Sequence, residues 1–136
     1  FTPRPRPELI ASKDDVLEAV AAGSACVVNA LTPKQHRGDV SPYGRPGRIA
    51  SSVNVSARDL VDRETGAYLP LERLRDQCES PGALSAGRVI TYCGGGIAAS
   101  STAFTLARLG HTDIAVYIAS LQEWTTDPGN PLVTGV

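Results

Sequence analysis

The sequence predicts an α/β fold in which helices cover both faces of a parallel sheet. Short apolar runs of strand length alternate along the chain with segments of helical periodicity, which is typical of parallel α/β sheets. One run, "ACVVNA" at 25–30, is apolar almost throughout, as expected for a strand that is covered on both faces.

The first predicted helix carries its own start and stop signals. The Ser12 hydroxyl is a typical N-cap, and Gly23 is a typical helix-ending residue. Between them, Val16, Leu17 and Val20 form the stripe that we expect to be buried.

The remaining elements follow in chain order. Further strands are predicted at 52–55, 88–92 and 113–118, with a short edge strand at 9–12. Further helices are predicted at 57–62, 71–78 and 97–109. In the second of these helices, Leu71, Leu74 and Cys78 share one side, which we expect to be buried. A polar loop is predicted at 31–51 and a mostly irregular tail at 120–136.

Length and composition indicate a single globular domain. The 136 residues include 42% hydrophobic and 20% charged residues, with a formal net charge of -1. We divide the chain into a proline-rich arm or linker at 1–8 and one domain at 9–136. The small net charge argues against nucleic acid or an anionic membrane as a partner. No apolar run approaches the roughly 20 residues of a membrane span, and the first residues do not resemble a secretory signal.

The cysteines indicate a reducing compartment, so we expect a cytoplasmic protein. Cys26, Cys78 and Cys93 are odd in number and irregularly spaced, which argues against a disulfide framework. The sequence contains no cluster of cysteines and histidines, so it gives no indication of a structural metal site. The chain also has no methionine, from which we expect that it is cut from a longer protein.

The motif "RVITYCGGGIAAS" at 88–100 is the strongest candidate for a functional site. Cys93 lies at the carboxyl end of a predicted strand, where parallel sheets bind ligands. Glycines before a helix start let successive amides face one point, and such amides would favour a thiolate on Cys93. The predicted substrate-binding loop is Gly94, Gly95, Gly96, Ile97 and Ala98.

Other readings of this loop are less well supported. A P-loop needs a Gly-Lys-Ser/Thr sequence, which does not follow here, and a dinucleotide-binding loop needs a different glycine spacing. A cysteine phosphatase or arsenate reductase needs an arginine six residues after the nucleophile, and that position is Ala99. Cys26 and Cys78 lack such glycines, and we interpret them as core residues.

The motif "VITYCGGGIAAS" resembles the active-site loop of rhodanese-type sulfurtransferases. "RPGRIASSVNV" is similar to the Gly-His-Ile-Pro-Gly-Ala motif of that family, and "VYIASLQEWTTDPGNPLVTG" is similar to its tryptophan-bearing closing segment. The resemblance covers residues 8–134 and lies closest to mercaptopyruvate/thiosulfate sulfurtransferase-like bacterial proteins. It implies a rhodanese-like sheet of roughly five strands and suggests the second domain of a tandem protein, with a companion rhodanese domain as a partner.

The resemblance also implies a mechanism. The Cys93 thiolate takes a sulfane sulfur from thiosulfate or 3-mercaptopyruvate, becomes a persulfide, and passes the sulfur to a thiol or cyanide. It implies neither a metal nor an organic cofactor.

Several residues depart from the family pattern. Asn29 replaces an aspartate, Arg48 a histidine, and Ala50-Ser51 a Pro-Gly pair, while Ala98 lacks the hydroxyl or cation that relatives often carry there. Gln35 stands near the place of a substrate-binding arginine. These changes leave a second interpretation open, a weak or inactive rhodanese domain that regulates or scaffolds a longer protein.

The loop at 31–51 supplies the candidate anion-binding groups. Arg37 and Arg45 are the first choices, ahead of His36 and Arg48.

Residues in the tail and beyond the active-site helix are given mainly structural roles. Trp124 is expected to pack the tail on the sheet, with a place in the pocket wall as the alternative, and Ser120 is a weaker candidate for lining the site. His111 follows the far end of the predicted helix, roughly 20 Å from Cys93 at 1.5 Å per residue, and is interpreted as structural.

Overall fold

The computed structural model describes all residues, 1–136, and contains six strands and five α-helices. The strands are β1 (Cys26–Asn29), β2 (Arg48–Ile49), β3 (Val53–Asn54), β4 (Val89–Tyr92), β5 (Ile114–Val116) and β6 (Leu132–Val133). The helices are α1 (Lys13–Ala22), α2 (Pro33–Arg37), α3 (Leu71–Glu79), α4 (Ile97–Arg108) and α5 (Ser120–Trp124), with short 3₁₀ helices at Pro7–Leu9 and Ala57–Leu60. No helix is both long enough and apolar enough to span a membrane.

The main sheet is parallel, as predicted, and has four strands in the order β3-β1-β4-β5. A fifth position exists only as a single parallel bridge between Ile10 and Val116 on the outer side of β5. The predicted edge strand at 9–12 is this short because Pro7–Leu9 forms a 3₁₀ helix and Ser12 already caps α1.

Helices cover both faces of the sheet, which confirms the predicted architecture. Adjacent residues of a strand point to opposite faces, and Val27 and Val28 accordingly enter two different apolar clusters. The first cluster includes α1 residues and Trp124, and the second includes Leu74 of α3 and Leu106 of α4. Trp124 therefore packs in the core, as preferred, and not in a pocket wall.

Two segments predicted as irregular contain regular structure. The loop at 31–51 includes α2 and β2, and the tail includes α5 and β6; β2 and β6 pair antiparallel as a separate two-stranded sheet. Strands of two residues are too short to show periodicity, and helices of five residues show little more. The signal for α2 was nevertheless present, since Thr32 and Gln35 form a capping box.

The predicted ends of α1 agree with the structure, and the predicted buried side of α3 agrees in part. Ser12 and Asp15 form a capping box, and Gly23 ends α1 in the left-handed conformation. In α3, Leu74 and Cys78 are fully buried, but Leu71 is 50% exposed, so its predicted burial is wrong. Leu71 is the first residue of the helix, and its side chain lies beyond the end of the apolar cluster.

Candidate active site

Cys93 follows directly after β4, a central strand of the sheet, and three glycines separate it from α4. The carboxyl end of a central parallel strand is open toward solvent because the chain turns away into a helix on one face. The fold therefore places Cys93 where a ligand can reach it.

The sulfur of Cys93 is held by a backbone amide. The Gly96 N–H donates a hydrogen bond to Sγ at 3.0 Å. Cys93 itself is only 2% exposed, yet it lines an open cavity of about 330 Å³. The loop thus directs one amide dipole at the sulfur, a contact that stabilises negative charge on it.

A Cβ at any of the three glycines would meet a close neighbour, and the neighbour differs at each position. A Cβ on Gly94 would overlap the ring of Tyr43, which packs directly on the loop. A Cβ on Gly95 would lie 3.0 Å from the amide oxygen of Gln122, and one on Gly96 would lie 3.0 Å from the carbonyl oxygen of Ile118. Gly96 also has a φ of 99°, in the left-handed region that favours glycine.

Helix α5 and the residues just before it hold the backbone of the Cys93 loop by hydrogen bonds. The Cys93 N–H donates to the Ser120 hydroxyl at 3.0 Å, and that hydroxyl donates to the Tyr117 carbonyl at 2.7 Å. The N–H groups of Leu121 and Gln122 donate to the carbonyls of Cys93 and Gly94. Ser120 is fully buried, so it positions the backbone of Cys93 and does not line the cavity.

The walls of the cavity carry no charged side chain. The lining residues are Leu31, Tyr43, Cys93, Gly94, Gly95, Ile97, Ala98 and Gln122. Four of the five predicted loop residues are in this set, and the fifth, Gly96, contacts the sulfur instead.

The structure does not bring Arg37 and Arg45 to this cavity. The Arg37 guanidinium pairs with Asp39, and the Arg45 guanidinium donates to the backbone carbonyls of Asp127 and Asn130 at 2.9 and 3.0 Å. Arg45 thereby ties the loop to the tail through its Nη1 group.

Tyr43, Leu31 and Gln122 are the cavity residues that sequence reasoning missed. Tyr43 is the one aromatic residue of the polar loop at 31–51, which was the available signal. Thr125 fixes it by donating its hydroxyl to the Tyr43 carbonyl at 2.6 Å. No local pattern marks Leu31 or Gln122, because only the fold brings them beside Cys93.

The whole arrangement matches a known family. A family model described as a rhodanese-like domain matches residues 12–127. The chain belongs to the rhodanese-like family. This confirms the resemblance found in the sequence.

Curated relatives of this rhodanese-like domain are named as sulfurtransferases. The chain is 30% identical over 119 residues to the putative thiosulfate sulfurtransferase SseB of Mycobacterium tuberculosis. It is 31% identical over 137 residues to thiosulfate/3-mercaptopyruvate sulfurtransferase 2 of Arabidopsis thaliana, and 31% over 114 residues to a probable 3-mercaptopyruvate sulfurtransferase of Pseudomonas aeruginosa. These alignments cover 87%, 98% and 80% of this chain but 41%, 40% and 39% of those proteins. The chain thus spans about two fifths of the length of these relatives.

Solved structures share the fold. The wild-type structure of EanB aligns with a TM-score of 0.85 at 22% identity, over 96% of this chain and 32% of that one. The anaerobic ergothioneine biosynthesis enzyme from Chlorobium limicola, in complex with trimethyl histidine, gives the same TM-score and identity, over 96% of this chain and 33% of that one. At this identity the likeness shows the fold alone.

Asn29 organises the loop that leaves β1 of the rhodanese-like domain. Its side-chain oxygen accepts from the Leu31 N–H at 2.9 Å, so its Nδ2 is the atom that faces His36 Nδ1 at 3.1 Å. Nδ2 is a donor, and His36 Nδ1 must therefore be an unprotonated acceptor. Burial, followed by the charges of Arg48 and Arg37, lowers the pKa of His36 from 6.5 to about 4.

The His36 contact predicts acid sensitivity of the fold. Because the pKa is lower in the folded chain, the unfolded chain binds more protons between pH 6.5 and about 4. The stability that neutral His36 contributes is present above pH 6.5 and is lost as the pH falls toward 4. We expect the melting temperature of wild type to fall more steeply over this range than that of His36→Gln, measured by circular dichroism at constant ionic strength. Parallel curves for the two proteins would contradict this assignment.

Replacing Gly96 is expected to impair sulfur chemistry more than folding. In Gly96→Ala, the left-handed backbone costs about 1–2 kcal/mol, and the contact with the Ile118 carbonyl moves the amide away from the sulfur. We expect the rate of sulfur transfer to drop by about 10²-fold, as for the loss of one oriented backbone donor. Gly110→Ala is the matched control, since Gly110 has a φ of 97° and a Cβ there meets nothing within 4 Å. A folded Gly96→Ala protein with the wild-type rate would show that this amide has no role.

Proposed function

We propose that this rhodanese-like domain transfers a sulfane sulfur through a persulfide on Cys93. The observation that carries the proposal is the Gly96 N–H bound to the Cys93 sulfur at 3.0 Å, at a cavity that opens to solvent. A nucleophilic cysteine needs a stabilised thiolate and access for a substrate, and this geometry supports both.

The reaction divides into two steps. In the first, the Cys93 thiolate attacks the outer sulfur of the donor; a bond forms between the two sulfurs, and the bond from that sulfur to the rest of the donor breaks. Thiosulfate would release sulfite, and 3-mercaptopyruvate would release the pyruvate enolate, which then takes up a proton. In the second, cyanide or a thiolate attacks the outer sulfur of the persulfide, and the bond between the two sulfurs breaks. The product is thiocyanate or the persulfide of the acceptor thiol, and Cys93 is the leaving group, which returns to its thiolate form.

Thiosulfate and 3-mercaptopyruvate are proposed as donors on the strength of the relatives' names. The cavity walls favour neither by charge, because the side chains facing the sulfur are Leu31, Tyr43, Ile97, Ala98 and Gln122. Binding of either anion would rest on backbone amides of the loop and on the Gln122 amide and Tyr43 hydroxyl.

Intact mass spectrometry tests the proposal. The full chain is incubated with each donor, desalted and weighed, and cyanide is then added to measure thiocyanate. A gain of one sulfur atom that cyanide removes is the expected result. No adduct with either donor would refute the proposed donors, and hydrolysis of an aryl phosphate that depends on Cys93 would favour phosphoryl chemistry instead.

A second candidate function is a regulatory or scaffolding module with weak activity. The specific observation in its favour is the absence of any cationic side chain from the Cys93 cavity, with Arg37 and Arg45 both engaged elsewhere. Sulfur uptake by the full chain at a rate close to that of free cysteine would support this alternative.

A further inference from the structure

The Cys93 cavity offers apolar contact next to the sulfur. Leu31, Tyr43 and Ile97 line it together with the glycine loop. Ile97 is the first residue of α4 and is 88% exposed, so a ligand that reaches the sulfur covers a side chain that otherwise faces water. The volume of about 330 Å³ lies within the range of cavities that bind small organic molecules. A sulfur donor with an apolar group therefore gains more from this cavity than a compact inorganic ion does.

The side chains of the cavity that can form hydrogen bonds are uncharged. The phenol of Tyr43 packs on Gly94. The side-chain amide of Gln122 lies beside Gly95. The Tyr43 carbonyl accepts from Thr125, and the Gln122 N–H donates to a carbonyl of the loop, but neither side chain forms a hydrogen bond within the chain. The hydroxyl and the amide are therefore both available to donate to an oxygen of a bound sulfur donor.

The neighbouring arginines supply no charge to this cavity. Arg37 pairs with a carboxylate, and Arg45 and Arg48 donate to backbone carbonyls. None of the three lines the cavity. The hydration free energy of an ion grows with the square of its charge, so a dianion loses far more than a monoanion when it leaves water for a site that has only neutral hydrogen-bond donors. The cavity therefore disfavours a second negative charge on the sulfur donor.

We infer that the sulfur donor of this site is an organic molecule with an apolar group and no more than one negative charge, of the class of a thiosulfonate. The inference rests on the proposed persulfide chemistry of Cys93 and narrows its substrate class. Leu31 and Ile97 contact the apolar group. The Tyr43 hydroxyl and the Gln122 amide donate to the sulfonyl oxygens.

The transfer from a thiosulfonate, R–SO₂–S⁻, needs no further reactant. The Cys93 thiolate attacks the outer sulfur, and a bond forms between these two sulfurs. The bond from the outer sulfur to the sulfonyl sulfur breaks, and its electron pair leaves with the sulfinate, R–SO₂⁻. The persulfide and the sulfinate each carry one negative charge, as the thiolate and the thiosulfonate did before, and no proton is transferred.

Thiocyanate formation with cyanide tests the inference by comparing three sulfur donors. Benzenethiosulfonate and methanethiosulfonate have the same charge and differ in the apolar group, whereas methanethiosulfonate and thiosulfate are similar in size and differ by one negative charge. Each kcat/KM is divided by the rate constant of the same sulfur donor with free cysteine, which removes differences in intrinsic reactivity. We expect benzenethiosulfonate to exceed methanethiosulfonate, and methanethiosulfonate to exceed thiosulfate, each by about 10-fold or more.

Intact mass spectrometry separates failure of this inference from failure of the proposed function. A sulfur adduct on Cys93 together with equal normalised efficiencies for the two thiosulfonates would overturn the inference and leave the persulfide chemistry standing. A normalised preference for thiosulfate over methanethiosulfonate would do the same. No adduct with any of the three sulfur donors would overturn both.

A matched pair of isoleucine variants locates the apolar contact. Ile97→Thr should lower the preference for benzenethiosulfonate over methanethiosulfonate several-fold, because the apolar group loses part of its contact at the mouth of the cavity. Ile10→Thr makes the same change at a side chain that is 52% exposed and lies outside the cavity, and it should leave this preference unchanged. An equal effect of the two variants would contradict the inferred contact.

A matched pair of lysine variants tests the role of charge. Gln122→Lys brings a cation to the cavity and should raise the efficiency of thiosulfate relative to benzenethiosulfonate by about 10-fold. Gln77→Lys adds the same charge at an exposed position of α3, outside the cavity, and should not change this ratio. An unchanged ratio in Gln122→Lys, or an equal rise in both variants, would show that the neutral cavity walls do not set the preference.

Discussion

Cys93→Ser is expected to abolish sulfur uptake and thiocyanate formation. A serine oxygen cannot form a persulfide under these conditions, so the loss should be about 10³-fold or more, as for removal of a covalent nucleophile. The variant should fold normally, because the Gly96 N–H can donate to the serine oxygen in place of the sulfur.

The other two cysteines are the matched controls for this experiment. Burial raises the pKa of Cys26, and it raises the pKa of Cys78 to about 11, so both remain thiols near neutral pH. Neither lies in the Cys93 cavity. Cys26→Ala and Cys78→Ala should therefore gain one sulfur atom just as wild type does. Sulfur uptake that persists in Cys93→Ser would contradict the proposed mechanism, and its loss in a folded control variant would place the sulfur on another cysteine.

Trp124→Ala is expected to cause the largest loss of stability. Trp124 is fully buried at the end of α5. Its ring packs edge-on against the ring of Tyr117, with 6.2 Å between the ring centroids, and its Nε1–H donates to the Pro131 carbonyl at 3.2 Å. Truncation leaves a large cavity and removes this hydrogen bond, which should lower the free energy of unfolding by about 3–5 kcal/mol.

Urea denaturation measures this effect. Circular dichroism must be the probe, since Trp124 is the single tryptophan of the chain. Phe104→Ala, which removes an aromatic ring that is 53% exposed, is the control and should cost about 1 kcal/mol or less. Sulfur transfer should also fall in Trp124→Ala, because α5 carries the groups that hold the Cys93 backbone. A midpoint within the error of the Phe104→Ala value would contradict the assigned role of Trp124.

Much of the fold could be predicted from local patterns. The Ser12 capping box and Gly23 delimit α1, and the apolar run at 25–30 marks a strand covered on both faces, because both signals depend on residues close together in the chain. Local sequence patterns do not predict that β2 pairs with β6. Those strands are two residues long, and the paired residues Ile49 and Leu132 lie far apart in the chain, so neither periodicity nor turn chemistry marks them.

In the candidate site too, the residues that are contiguous in the chain were predictable and those brought together by the fold were not. The nucleophile and its glycines were identifiable because Cys93 to Ala98 form one continuous segment that runs from the end of a strand into the start of a helix. The basic residues of the loop at 31–51 were expected near the sulfur because that loop leaves the same edge of the sheet. Arg37 instead pairs locally with Asp39, two residues further on, and tertiary contacts direct Arg45 to carbonyls of the tail.

The sequence by itself determined the parallel α/β class and the position of Cys93 at the carboxyl end of a strand, since both follow from short-range periodicity and capping. Only the tertiary structure decided which side chains surround the sulfur. Tyr43 packs on Gly94, and Gln122 faces Gly95, because α5 and the loop after β1 converge at one edge of the sheet. That convergence depends on contacts between residues far apart in the chain, which no local pattern records.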